Sequence, residues 1–206
     1  MRRKVEVALG ARSYVIEIGS GMDELLAAFV RHAGYSAHGM IVTDTNVGPL
    51  YAAHTAAQIA RGGVAAEIVT IPAGEASKSL SAADDLYTRA IALGLDRRSP
   101  IFALGGGVVG DLAGFIAATY MRGVPFVQLP TSLLAQVDSS VGGKVAVNHA
   151  RGKNLIGAFY QPDAVIMDLD RLQTLPAREI ATGLGEIIKY GIIADAEFFA
   201  WLEMHQ

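Results

Sequence analysis

With 206 residues, 51% of them hydrophobic and 18% charged, the chain is long and apolar enough to bury a large core, and its composition excludes an intrinsically disordered protein. A formal charge of −3 without a long Lys/Arg run argues against nucleic acid as a partner. Cysteine is absent, which excludes disulfides and thiolate metal ligation and leaves Asp, Glu and His as possible metal donors.

The N-terminal MRRKVEVALGARSYVIEIG alternates polar and apolar residues and lacks the unbroken apolar stretch of a signal peptide. Its runs KVEVAL and YVIEIG, separated by Gly10, Ala11 and Arg12, predict an opening β-hairpin. Short apolar runs bounded by turn residues then predict buried strands at 40–44, 65–72, 100–105, 125–130 and 164–169. Helical character falls between them at 48–61, 79–93, 108–120 and 132–137. This alternation predicts an α/β fold with a Rossmann-like, mostly parallel sheet covered by helices on both faces, whose ligands bind at the carboxyl ends of the strands. The segment 100–121 is apolar in sum, but Gly105, Gly106, Gly107 and Asp111 interrupt it, so no membrane span is expected. From Asp170 to Gln206 the pattern is one long helix, with Pro176 and Glu179 in its first turn. It reads as the start of a helical second domain that the chain does not complete, giving a division into 1–170 and 171–206.

Three constellations carry chemistry. LGGGVVGD at 104–111 contains GxGxxG between a strand and a helix, where backbone amides and a helix N-terminus bind pyrophosphate. A Rossmann fingerprint also expects an acid about 20 residues on. None lies between Asp111 and Asp138, so a nucleotide cradle and a structural turn both stay open. Asp111 reads either as a partner of the helix dipole or as an acceptor for a cofactor hydroxyl. The stretch 129–162 collects Thr131, Ser132, Gln136, Asp138, Ser139, Ser140, Lys144, Asn148, Lys153 and Asn154. It is either a long solvated loop or a site for an anionic, polyhydroxylated small molecule. In GLGEIIKYG, Glu186 and Lys189 share a helix face, as an ion pair or with Glu186 as a hard oxygen ligand. No HxxxH, HExxH or GxSxG pattern occurs.

The phrases PAGEASKSL (72–80), GGGVVGDLAGFIAATYMRG (105–123), LPTSLLAQVDSSVGGKVAVN (129–148), GKNLIGAFYQP (152–162) and GLGEIIKYGII (183–193) occur in order along the chain. On these phrases the sequence resembles the 3-dehydroquinate synthases, sugar-phosphate cyclases of the shikimate pathway. The resemblance implies a cytoplasmic, homodimeric lyase. It would convert 3-deoxy-D-arabino-heptulosonate 7-phosphate to 3-dehydroquinate and phosphate, using NAD catalytically and zinc or cobalt. It places NAD contacts on Asp44, Asn46, Glu75, Lys78, Gly107, Val108, Val109, Gly110, Asp111, Thr131 and Ser132, with Lys144 and Lys153 also near the cofactor. Loops from earlier strands hold the adenosine end in that family, which accounts for the acid missing after Gly110. It places substrate contacts on Asp138, Lys144, Lys153, Asn154 and Lys189, with Arg122 reaching the phosphate across a dimer interface, and assigns the metal to Glu186. The chain departs mildly from the family at Ala73-Gly74-Glu75 and Pro130-Thr131-Ser132. The family's two metal-binding histidines belong to a helical C-terminal domain, so the resemblance also implies that the 206-residue chain is inactive by itself. Two alternatives stand beside this: another cyclase, such as a 2-deoxy-scyllo-inosose or 2-epi-5-epi-valiolone synthase, and a non-catalytic NAD-binding fragment. The phrases QVDSSVGGK and KNLIGAFYQP fit the dehydroquinate synthases best.

Overall fold

The computed structural model describes residues 2–205. A seven-stranded sheet forms its centre. β1 (Arg3–Val7) and β2 (Tyr14–Gly19) are the expected antiparallel hairpin, turning through Gly10–Arg12. The other strands, β3 (His38–Asp44), β4 (Ala65–Ile71), β5 (Ile101–Gly105), β6 (Phe126–Pro130) and a late strand at Ala164–Asp168, run parallel to β2. Before that late strand come β7 (Lys144–His149) and β8 (Gly152–Phe159), an antiparallel pair outside the main sheet. The late strand is therefore β9, and the sheet order is β1-β2-β9-β6-β5-β3-β4.

Helices α1 (Asp23–His32) and α2 (Ala53–Arg61) cover one face. Leu26 and Val30 of α1 and Ile59 of α2 pack there against Ile41, Phe102, Leu104, Val127, Leu129 and Ile166. Helices α3 (Leu80–Ala92) and α4 (Gly107–Thr119) cover the other. Leu86, Leu112 and Ile116 pack there against Met40, Val42, Ile101 and Ala103. Successive strand residues point to opposite faces. Met40, Ile41 and Val42 are all fully buried because both faces are covered, and that is why such strands read as unbroken apolar runs.

The structure corrects several boundaries. Helix α1 is an element that the sequence pattern above does not predict. The helix expected at 48–61 opens with a wide, π-type turn at 48–52 before α2, and the one expected at 132–137 is a short wide turn centred on 135–139. The stretch 129–162, read as a loop or a ligand site, contains the β7–β8 hairpin. Its strand β7 puts Val145 and Val147 into the same core as α4. The long C-terminal helix is two: α5 (Ala177–Ala194), with Pro176 at its cap position, and α6 (Ala196–Met204). Asp195 divides them because its carboxylate accepts the Phe198 N–H at 2.9 Å and caps a new helix. No helix among the described residues is long and apolar enough to cross a membrane.

Candidate functional site

The chain reverses its direction of travel across the sheet between β3 and β5. From β3 it goes outward to β4, then returns past β3 to β5 and continues to β6 and beyond. Helix α2, which follows β3, and helix α4, which follows β5, lie on opposite faces. The ladder joining the two strands stops at Val42–Ala103, two residues before either strand ends, so they part there. A crevice at such a switch point, at the carboxyl edge, is where α/β sheets bind ligands. Asp44 stands on its β3 side. Its Oδ1 accepts the N–H groups of Asn46 (2.8 Å) and Val47 (2.9 Å). Gly105–Gly107 stands on its β5 side and opens α4 with no side-chain cap, which leaves the first amides of that helix without a side-chain acceptor.

The centre of the site is built on Lys78. Gly74, with φ of 108°, turns the chain after β4 through a backbone conformation that side chains disfavour, into a tight turn at Glu75–Ser77. Ser79 then caps α3 by accepting the Ala82 N–H at 3.2 Å. Between these two fixed points Lys78 is only 5% exposed, and its ammonium donates to the carboxylate of Asp111 and to Oδ1 of Asn154. Asp111 is the fifth residue of α4. It therefore sits in the second turn of the helix, not the first, and its role is an ion pair across elements. Burial raises the Asp111 carboxyl above the ordinary carboxylate range, while Lys78 and then Lys144 pull it back.

The hairpin completes the wall. Asn154 holds a left-handed backbone at φ of 58° and donates its N–H to Asn148 Oδ1 at 2.9 Å. Asn148 Nδ2 donates to Glu75 Oε1 at 2.7 Å, and Lys153 Nζ stands 3.7 Å from the same oxygen. Lys144 donates to Asp138 at 3.1 Å. A cleft of about 490 Å³ is lined by Asp111, Asp138, Ser139, Lys144 and Asn154, with apolar groups of β8 including Leu155 and Phe159. At the neighbouring strand ends, Thr131 donates its N–H to Gly105 C=O at 3.0 Å, and a Cβ on Gly106 would lie 3.3 Å from Ser132 Oγ. A Cβ on Gly107 would lie 3.0 Å from Ser139 Oγ. Without side chains, the glycine loop comes against these hydroxyls and keeps its amides open.

The structure thus brings together Glu75, Lys78, Asp111, Asp138, Lys144, Lys153 and Asn154, and it sets Asp44, Asn46, Thr131 and Ser132 along the same edge. Asn148 and Ser139, two of the polar residues collected in the 129–162 stretch, belong to this group as well, although the family resemblance gives them no role. Thr45 has no signal in the sequence pattern; its Oγ1 accepts the Ala73 N–H at 3.0 Å and ties the loop after β3 to the loop after β4.

Helix α5 packs on the 133–139 turn. Tyr190 donates to Val137 C=O at 3.1 Å, and Gly183 lies so close to Leu133 that a Cβ there would be 2.6 Å from it. Glu186 falls between these contacts along the helix and pairs with Lys189, so the ion pair expected from their spacing is present. No group of three or more His, Asp or Glu side chains stands together as a metal site among the described residues. Glu186 alone is too few donors for a tight divalent site. Arg122 is apart from the cleft. It follows α4 in an exposed turn with φ of 68°, before β6 begins, and so lies toward the amino edge of the sheet.

The fold and the crevice define the class: a Rossmann-like α/β domain with a glycine loop at the switch point and a hairpin walling the cleft. The family model described as 3-dehydroquinate synthase N-terminal matches residues 68–182, more than half of the chain, and the chain belongs to that family. It is 56% identical to the 3-dehydroquinate synthase of Desulforamulus reducens over 199 residues, covering 97% of this chain and 55% of that protein. A solved 2-deoxy-scyllo-inosose synthase complexed with carbaglucose-6-phosphate, NAD+ and Co2+ is 30% identical, with a TM-score of 0.87 over 93% of this chain and 52% of that one. The 2-epi-5-epi-valiolone synthase of Streptomyces hygroscopicus subsp. jinggangensis, with NAD+ and Zn2+ bound, is 34% identical, with a TM-score of 0.84 over 97% of this chain and 55% of that one. The chain spans about half the length of the curated relatives it matches.

Proposed function

We propose that this chain is the NAD-binding part of a cytoplasmic, homodimeric 3-dehydroquinate synthase, which converts 3-deoxy-D-arabino-heptulosonate 7-phosphate to 3-dehydroquinate and phosphate. The observation that carries the reading is the Lys78–Asp111–Asn154 network. It locks the loop after β4, the glycine-loop helix and the hairpin around one crevice. NAD, when bound, supplies reversible hydride acceptance. The glycine loop fits it, since a Cβ at Gly106 or Gly107 would fill the gap toward Ser132 and Ser139. In this assignment the amides of Gly107, Val108 and Val109 take the pyrophosphate at the α4 N-terminus, while Gly110, whose own N–H is held by Gly106 C=O at 3.0 Å, lines the same first turn. Asp44 and Asn46, with Glu75, hold the adenosine end, and Lys78, Asp111, Thr131 and Ser132 orient the nicotinamide end. Lys144 and Lys153 donate to the anionic groups of the substrate, the Asp138 carboxylate accepts from its hydroxyls, and the Asn154 amide reads the same hydroxyl pattern. Lys189 contributes from α5, and Arg122 serves the phosphate of a partner subunit's site.

The zinc or cobalt expected for this family does not fit the described residues as a complete site, because no three His, Asp or Glu side chains stand together among them and Glu186 is held by Lys189. No step is therefore routed through a metal. We place the boundary between the nucleotide domain and the helical one at 170/171, in the turns that lead from β9 to α5.

Calorimetric titration with NAD tests the reading. The chain is expected to bind NAD, and Gly107→Val is expected to weaken binding at least about tenfold, roughly 1.4 kcal/mol, by driving a branched side chain toward Ser139 and over the amides. Equal affinity in the variant would return the glycine loop to a purely structural turn.

A further inference from the structure

We propose that Asn148 is a positioning residue for the cofactor crevice, the tie that fixes where the Lys78 ammonium and the Glu75 carboxylate stand. Its place as the nucleotide's support rests on the reading above, whereas its hold on Lys78 does not.

Asn148 is the penultimate residue of strand β7 and is bonded in three directions. Its backbone N–H donates to the Lys78 carbonyl at 2.9 Å, which fastens the hairpin to the loop after β4. Its side-chain oxygen accepts the Asn154 N–H at 2.9 Å, and its side-chain nitrogen donates to Glu75 at 2.7 Å. Asn154 sits at φ of 58°, a left-handed backbone region that asparagine tolerates better than most residues and that is held where surrounding bonds determine it. The Asn148 oxygen is the acceptor that the Asn154 amide meets in that conformation. Asn154 in turn presents its own Oδ1 to Lys78. Among the described residues, Asp111 is the other side-chain partner of Lys78. Removing the Asn148 amide therefore releases Asn154, takes one of two acceptors from a buried ammonium, and leaves Glu75 with Lys153 alone at 3.7 Å.

The test uses the 206-residue chain and two readouts. The first is the rate of acylation of Lys78 by acetic anhydride, followed by mass spectrometry, with the exposed Lys153 as internal reference. Asn148→Ala is expected to raise the Lys78 rate roughly tenfold at unchanged Lys153 rate, the effect of losing one buried hydrogen-bond arrangement. Asn148→Ser, whose hydroxyl does not span both partners, carries the same expectation if the alanine variant does not fold. Asn148→Asp keeps the oxygen that accepts from Asn154 but sets a carboxylate against Glu75, so Lys78 is expected to stay protected. A merely structural role makes all variants follow their melting temperature. A Lys78 rate within twofold of the parent in a folded Ala or Ser variant overturns the proposal. The second readout is NAD affinity, expected to fall roughly tenfold in the Ala or Ser variant. Unchanged affinity in a variant whose Lys78 has become reactive overturns the positioning assignment. If the parent chain itself binds no NAD, the nucleotide reading fails, and the acylation rate still decides whether Asn148 holds Lys78.

Discussion

Lys78→Met is expected to cost the folded chain about 3–5 kcal/mol at neutral pH, because it leaves the Asp111 carboxylate without its cation in a largely buried place. The penalty depends on pH with a definite sign. Burial already raises the Asp111 carboxyl, and loss of Lys78 removes the largest pull in the other direction. A carboxyl whose folded value lies above its unfolded one loses stability as pH rises through the interval between them. The variant is therefore least impaired below the unfolded value near pH 4, and the deficit grows until pH passes the raised folded value. Urea denaturation at pH 7 and pH 5 measures this, and a midpoint deficit equal at both pH values contradicts it. Adding Asp111→Asn to the variant removes the stranded charge and is expected to recover most of the loss at neutral pH. The same single substitution is expected to abolish detectable NAD binding.

Gly114→Ala carries the second large expectation. Gly114 is in the middle of α4, where its bare backbone admits the hairpin. A Cβ there would lie 2.3 Å from Val145 Cγ1 and 3.0 Å from the ring of Phe126. Neither neighbour has room to move, since Val145 and Phe126 are both buried in the core shared by α4, β6 and β7. Overpacking of this kind costs about 1–3 kcal/mol, despite alanine's better helix propensity. In a domain of this size the melting temperature is expected to fall by about 2–12 °C. The effect is also functional, because pushing β7 off α4 carries Lys144, Asn148 and Asn154 away from Lys78 and Asp111. NAD affinity and melting temperature should fall together. An unchanged melting temperature would show that the α4–β7 contact yields without cost.

The central strands were legible because a parallel strand buried on both faces leaves an uninterrupted apolar run, as in MIVTD and PIFALG. Helix α1 was legible in principle through Leu26, Phe29 and Val30 at helical spacing, but its signal follows directly on the hairpin without a capping side chain. The β7–β8 hairpin was hidden for a physical reason. Only β7 alternates between core and solvent; β8 is exposed along most of its length and is broken by Gly157 and the left-handed Asn154, so it has no periodicity to read. The division at Asp195 was missed because Asp195 is followed at once by more helix-forming residues, and its cap is visible only as a hydrogen bond. The motif residues gather at one edge because the segments with Asp44, Glu75, Gly107 and Thr131 end or follow parallel strands at their carboxyl ends, and the antiparallel hairpin brings Lys144, Lys153 and Asn154 against them. Asn148 was legible only as one polar residue of the 129–162 stretch; its partners were not, because it bonds Glu75, which is 73 residues away, and Asn154, six residues on, and neither separation is a sequence pattern.

The two strands of that hairpin differ in how much change they tolerate. β7 belongs to the hydrophobic core, so almost any change in Val145 or Val147 is felt as stability. β8 lines the cleft with Leu155 and Phe159, 63% and 80% exposed, yet contributes little to the interior. Substitutions at these two positions come at small thermodynamic cost while they reshape what the cleft admits, whereas Asn154 and Gly157 of the same strand are fixed by their contacts. An engineered change of substrate has its most permissive entry point at Leu155 and Phe159, with the adjoining strand preserved as the anchor.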